Sequence, residues 1–408
     1  SLIWLSGPLS GFIAQPMVGF ASDRCRSKMG RRRPYILGGF IGILVGLLIL
    51  YFIDTIRNKI LAKTLFIIGL FGVNIAINIL QGPSRTLIGD IVPQSQQVLA
   101  NTIGSIMLGL AAIVTNLIGG LRFLATLLHT TSTDLVFISG MILICISSII
   151  TLICAKEEQL QMGKEPDSRN PFVSIFNAFK TMPRPVFRIC LVYFFSWMAY
   201  FPFNIECTDF FASDVFKGIN NPDDPNYESY LNGLSFGMIV LAVSNGLVLI
   251  YSPFQEALIK KIGLRISYAL SQIIEAVCLI AVIILSILSE HSNKWILLGL
   301  LAPLGISATI FNSIPFAIVG LNVSQDQMGV YMGVLNMFGV VGQQISNFIL
   351  VSGVGKICER INPELKSPII GGGAVFAIVA AILCRFIIIP NQDTSIMEPL
   401  TPGNAYYD

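Results

Sequence analysis

Apolar runs of about twenty residues recur along this chain, at 1–21, 35–53, 64–88, 97–121, 135–154, 187–208, 231–252, 266–288, 295–319, 328–352 and 368–389. About twenty apolar residues in a helix cross the ~30 Å hydrocarbon core of a bilayer. Within that core a backbone must satisfy its own polar groups, because no water is there to do so. The eleven runs therefore predict an all-α polytopic membrane protein rather than a domain with one anchor. Composition agrees: 54% of the 408 residues are hydrophobic and 12% are charged, against about 25% charged in soluble chains.

What little polarity the chain has excludes several chemistries. The eight cysteines lie mostly in or beside the spans, at no metal or disulfide spacing, and read as small apolar fillers. The two histidines, His129 and His291, fall in expected loops. No cofactor or metal is expected, and the polar residues inside the spans compose no nucleophile–base set, so an enzyme is not expected either. Basic residues cluster between spans, which speaks for topology rather than nucleic-acid binding. The chain opens at Ser1, inside an apolar run and without an initiator Met. A segment upstream is expected to be missing.

The loop Gly19–Pro34 holds six Lys/Arg and one Asp between two spans. Basic residues resist translocation, so this loop is expected inside. Alternating from there gives 17 Lys/Arg inside and nine outside, with the acidic loop Asp209–Glu228 outside. The sequon Asn322-Val-Ser324 falls inside and should stay unused. Asp23 precedes Gly30 by seven residues, with Arg32 two further on; Glu256 precedes Gly263 by seven, with Arg265 two further on. The second copy lies two spans after the charged segment 155–186, whereas the first lies after only one. Equivalent halves would put twelve spans in the parent protein, six plus six, with a site between parallel repeats. The expected division is a bundle over 1–154 lacking its first span, a solvated cytoplasmic linker over 155–186, a six-helix bundle over 187–390 and a cytoplasmic tail over 391–408.

Polar groups inside an apolar bundle cost free energy unless they face a cavity or a partner. Asn74, Asn78, Gln81 and Arg85 fall at i, i+4, i+7 and i+11 on one helix face. Amides both donate and accept, which suits a hydroxyl-rich ligand, while the same stripe would also serve as glue between helices. Arg85 is costly at membrane depth unless it snorkels. Asn336, Gln343 and Asn347 repeat the stripe in the other half. Glu206 and Asp209 share a face at i, i+3 and, with Asp214, make either a proton-coupling pair or a hydrated acidic mouth. Glu275 lies a third of the way into its span and is protonated, paired or proton-carrying. Asp23 ends its span, where the helix dipole disfavours an anion; Arg31, Arg32 or a neighbouring helix N-terminus is the expected partner. Gly38, Gly42 and Gly46 are expected to pack closely against another helix.

The Gly19–Pro34 run resembles the loop that marks the major facilitator superfamily. Within it, the chain resembles the sucrose-transporter branch and its animal sugar–proton symporter relatives. The motifs that carry the resemblance are Trp4-Leu-Ser-Gly-Pro-Leu-Ser-Gly11 with Gln15-Pro16, Arg31-Arg-Arg-Pro34, Leu80-Gln-Gly-Pro-Ser-Arg85 with Asp90, Phe201-Pro-Phe203 with Thr208-Asp209, Ser313-Ile-Pro-Phe-Ala317, and Gly333-Val-Leu-Asn336 with Gln343. The resemblance implies alternating access to a central sugar site, Arg85 as the substrate arginine, and a cytoplasmic latch built from Asp23, Gly30, Arg31, Arg32, Glu256 and Arg265. It places Asn74 where plant members carry a proton-binding Asp. An amide cannot titrate, so coupling has moved to Glu206, Asp209 or Glu275, or the protein is a facilitator or a carrier of another small solute. A transporter-like sensor ranks behind these. The expected partners are a sugar, a proton and membrane lipid, and the expected state is a monomer in the plasma membrane, with a vacuolar or lysosomal membrane as the alternative.

Overall fold

The computed structural model describes residues 2–120, 126–157, 171–288, 293–325, 327–362 and 365–389. The tail at 391–408, residues 158–170 of the 155–186 linker, Arg122 and His291 lie outside the described residues. Each apolar run becomes helix. In the first half these are α1 (Leu2–Asp23), α2 (Arg33–Tyr51), α3 (Lys59–Ile91), α4 (Gln97–Gly120) and α5 (Ser132–Cys154). After the linker come a short α6 (Pro171–Lys180), α7 (Arg184–Phe210), α8 (Tyr227–Ile262), α9 (Leu264–Leu288), the pair α10 (Lys294–Leu301) and α11 (Leu304–Asn322), then α12 (Met328–Ser346), α13 (Gly355–Ile361), α14 (Ser367–Gly371) and α15 (Gly373–Leu383). Ten of the described helical segments are long and apolar enough to cross a membrane. The protein is a multi-pass integral membrane protein.

Several local features depart from the even runs of the sequence. The run at 295–319 is two helices, because Pro303 lacks the N–H that would continue α10 and instead stands before α11. Both α7 and α12 end in wider π-helical turns, at Phe211–Val215 and Asn347–Val354. The segment 155–186 is not solvated throughout: α6 forms within it and packs on α1 and α12. The row expected to pack α2 is displaced by one residue at one end. Gly39, Gly42 and Gly46 face α3, where a Cβ on Gly39 would stand 2.7 Å from the Leu80 nitrogen and one on Gly42 2.9 Å from the Ala76 Cβ, whereas Gly38 is exposed with open space around it. Small residues here let two backbones approach, which drives association where lipid removes the hydrophobic effect.

The two bundles meet along two seams. In one, α1 packs against α12; in the other, α4 packs against α8 and α11. Backbone nearly touches backbone in the first seam: a Cβ on Gly333 would lie 2.8 Å from the Pro16 Cα. Most of the fully buried apolar side chains belong to the second bundle, around Tyr193, Phe203, Phe311 and Phe316. The outer surface of α2, α3 and α5 is exposed Ile, Leu and Val, as a face in contact with acyl chains requires.

Candidate functional site

The basic loop folds into a buried ionic knot at one end of the α1–α12 seam. Gly30 has φ +97, a left-handed turn that glycine adopts without cost, and a Cβ there would collide with Glu157. The turn delivers Arg31 and Arg32 to three carboxylates. Arg32 is fully buried and lies 2.5 Å from Asp23 and 2.7 Å from Asp90, and it donates to Ser22 Oγ at 2.6 Å. Arg31 pairs with Asp90 at 2.8 Å. Glu157 accepts from the Arg32 backbone N–H at 2.9 and 3.0 Å, capping the start of α2, where an anion complements the dipole.

Asp23 also reaches across to the other half. Its two oxygens accept the backbone N–H groups of Gly329 and Val330, both at 3.1 Å, at the N-terminus of α12. Both partners expected for Asp23, an arginine and a neighbouring helix N-terminus, are thus engaged together. A Cβ on Gly329 would sit 2.7 Å from Asp23 Oδ1 and 2.9 Å from Arg32 Nη1, so only glycine admits this approach. Ser22, Asp90, Glu157 and Gly329 complete the knot. Their link to Asp23 is made by tertiary contact and leaves no spacing in the sequence.

The second copy of the motif keeps the turn and loses the knot. Gly263 has φ +85, but among the described residues Glu256 pairs only with Lys260 one turn on, at 2.9 Å, with both side chains well exposed. Arg265 is exposed. In this state Glu256 and Arg265, expected in the latch, make no ion pair across the seam among the described residues. The residue that points inward is Gln255, buried, which donates to Ser313 Oγ at 2.8 Å on α11 and to Thr102 Oγ1 at 3.4 Å on α4. The repeat preserved a turn and an inter-half contact, while the charged side chain rotated out by one residue.

About one and a half turns along α3 from Asp90, Arg85 projects into the second bundle. Its guanidinium stacks 3.9 Å above the Phe316 ring, and it donates to the Asn312 carbonyl at 3.3 Å and Asn312 Oδ1 at 3.4 Å. It does not snorkel. Two long contacts leave most of the five guanidinium donors free for a ligand. Phe316 belongs to an aromatic cluster on α7 and α11: Tyr193 lies 5.7 Å from it, and Phe311 stands 5.0 Å from Trp197 and 5.3 Å from Tyr200. This wall went unread because a Phe/Tyr/Trp run inside an apolar span has the pattern of ordinary core.

The amide stripe divides. Asn78 is buried, accepts from Gln15 at 2.8 Å, and donates to Ser10 at 3.0 Å and to the Asn74 carbonyl at 2.8 Å. Gln15 also donates to Gln81 at 3.0 Å. Asn78, with both its N–H groups engaged, ties α3 to α1 as interhelical glue, whereas Gln81 only accepts one bond from Gln15 and donates none among the described residues. Asn74 is half-buried and donates to the Leu70 carbonyl at 2.9 Å. On α12, Asn336 and Gln343 are half-buried with no side-chain hydrogen bond among the described residues. Asn336 lies between Gly333 and Val340, the positions that touch Pro16 and Gly11 of α1.

At the opposite end, the acidic group is partly structural. Asp214, in the π-turn, accepts from the N–H of Lys366 at 2.9 Å and of Ser367 at 2.8 Å, capping α14. Asp209 lies 3.4 Å from the Lys366 ammonium and accepts from the Tyr230 hydroxyl at 3.2 Å. Glu206 is half-buried and within electrostatic reach of both Asp209 and Lys366, so the two carboxylates stay neighbours while Lys366 and Tyr230 also engage Asp209. Glu275 is fully buried inside the second bundle. Gln272 donates to its Oε2 at 3.0 Å, and its Oε1 has no partner among the described residues. No group of three or more His, Cys, Asp or Glu among the described residues has the arrangement of a metal site.

Comparison with known proteins accords with this architecture. The profile described as Major Facilitator Superfamily matches residues 3–347. The chain is 27% identical to the sucrose transport protein SUC4 of Arabidopsis thaliana, over 98% of this chain and 84% of that protein. It is 25% identical to the sucrose transport protein SUT1 of Oryza sativa subsp. japonica, over 95% and 80%. Among solved structures it is similar to a bacterial homologue of the iron transporter ferroportin in its outward-facing state, with TM-score 0.64 and 14% identity over 94% of this chain and 89% of that one. It is also similar to the transporter FucP in the outward conformation, with TM-score 0.62 and 16% identity over 95% and 89%. A profile matching most of the chain, over helices that pack as two bundles around an ionic knot at one end of their seam, assigns this protein to the major facilitator superfamily.

Proposed function

We propose that this protein carries a sugar, sucrose or a related glycoside, across a membrane by alternating access, driven by protons. The observation that carries the reading is Arg85: a guanidinium stacked on Phe316 at the seam of the halves, with donors to spare. A planar cation beside an aromatic wall suits a sugar, whose hydroxyls accept hydrogen bonds and whose C–H face packs on rings. Asn336 and Gln343 offer further donors and acceptors nearby, and Asn74 a third amide. The similarity to sucrose transport proteins of two plants supports the substrate class.

The bundles at 1–154 and 187–390 would rock about this site. Asp23, bridging Arg32 and the α12 N-terminus, holds the basic-loop end shut, and that end is cytoplasmic by its charge. Opening inward exchanges about two charge-assisted hydrogen bonds, each worth roughly 1.5–3 kcal/mol, for hydration. With an amide at Asn74 and with Asp209 engaged by Lys366, the coupling carboxyl in this reading is Glu275, which accepts from Gln272, lies near Ser307 and has no hydrogen bond to its Oε1 among the described residues. The protein would work as a monomer in the plasma membrane. If it instead runs as a facilitator, Asn74 supplies the reason.

The test is uptake of radiolabelled sucrose by the purified chain in proteoliposomes, with and without an inward proton gradient. Gradient-stimulated uptake supports symport. Equal uptake in both leaves a facilitator, and no uptake of sucrose, maltose or an aryl glucoside removes the substrate class.

A further inference from the structure

At the basic-loop end of the second bundle, α6, the start of α7 and the end of α15 enclose an apolar groove of about 450 Å³. Phe179, Phe187, Leu191 and Leu383 line it together with Arg184 and Arg188. Arg188 donates one N–H to the Phe386 carbonyl at 3.0 Å. Arg184 is exposed and has no partner among the described residues. Lys180 closes α6, and Arg385 lies over the Phe386 ring at 4.5 Å. No Asp or Glu occurs between residues 171 and 205 or between 382 and 389. Four cations thus gather around an aromatic groove with no carboxylate in their own segments.

We infer that this groove binds one anionic phospholipid, its phosphate on Arg184 and Arg188 and an acyl chain along Phe179 and Phe187. Guanidinium forks match phosphate oxygens in a bidentate way. A free anion has no use for the apolar floor, and a zwitterionic lipid leaves the surplus cations uncompensated. The groove stands where spans meet the headgroups of the leaflet on the basic-loop side, where anionic lipid attracts each Lys or Arg by about 1 kcal/mol.

The occupant bears on the gate. From the groove, α6 leans on α1 and α12, the helices that Asp23 joins. Phe179 sits 6.1 Å from the Phe338 ring of α12, and Ala178 is buried. A lipid that fixes α6 therefore favours the state in which this end is closed. This inference is independent of which solute is carried.

The test is binding of pyrene-labelled phosphatidylglycerol to the full chain in neutral detergent, read by energy transfer from tryptophan, with competitors. Saturable binding, competed by unlabelled phosphatidylglycerol and not by phosphatidylcholine or inorganic phosphate, is expected. Arg184→Gln should weaken it about fivefold and the double variant with Arg188→Gln roughly 25-fold. Arg184 is exposed, so the single variant should keep the parent melting temperature and remain informative if the double variant misfolds. Unchanged affinity in Arg184→Gln, equal competition by phosphatidylcholine, or displacement by inorganic phosphate at the same concentration as lipid would each overturn the proposal.

Discussion

At the scale of single residues, Arg85 and Asp23 do different work with the same currency, charge held away from water. Arg85 keeps its planar face on Phe316. A lysine there retains the charge but neither stacks nor forks, so Arg85→Lys should lower sugar uptake at least about tenfold while leaving the melting temperature within a few degrees. Normal transport by that variant would remove Arg85 from the substrate site. Asp23→Asn strips one partner from a buried pair, a change worth about 3–5 kcal/mol, and should shift the gate toward inward-open by about a hundredfold or more. Distances between spin labels at Ser27→Cys and Ser324→Cys report it: one short population in the parent, a longer one in the variant. Glu275→Gln keeps the bond to Gln272 within reach and removes the exchangeable proton. Uptake by that variant should be insensitive to a proton gradient; retained stimulation would exclude Glu275 as the coupling carboxyl.

At the scale of elements, the account turns on glycines where helices cross. Gly329→Ala places a methyl 2.7 Å from Asp23 Oδ1 and from the Gly19 carbonyl, so α12 must withdraw from α1. The same spin-label pair should widen as it does for Asp23→Asn, even though no charge has changed. Parent-like distances would mean that the seam is looser than its packing implies. The spans themselves were legible because a twenty-residue apolar run has one stable solution in a bilayer. Their interruptions were less so: Pro303 marked a break that hydropathy averaging hid, and the π-turns carrying Asp214 and Asn347 have no residue signature. The stripe from Asn74 to Arg85 was visible as one face, yet Gln15, which occupies Asn78 and Gln81, sits on a neighbouring helix 63 residues from Asn78. Periodicity reports which face a residue takes, never what waits opposite it.

At the scale of the molecule, the two copies of the motif keep one backbone feature and differ in their contacts. Gly30 and Gly263 share a positive φ because the chain must turn at both places. Among the described residues only the first copy carries the ionic knot; in the second, Gln255 makes the inter-half contact, to Thr102, and Glu256 faces out to Lys260. The contact between the halves is therefore charged on one seam and neutral on the other, and burial shields the charged one from salt. In the proposed carrier, Arg85 is the substrate face and the Asp23 bridge is the gate. Counterflow isolates that claim from any driving ion. Proteoliposomes preloaded with unlabelled sucrose should accumulate external labelled sucrose transiently above equilibrium with the parent chain, and Arg85→Lys should abolish the overshoot. The absence of an overshoot in the parent, or an equal overshoot in Arg85→Lys, would contradict the account.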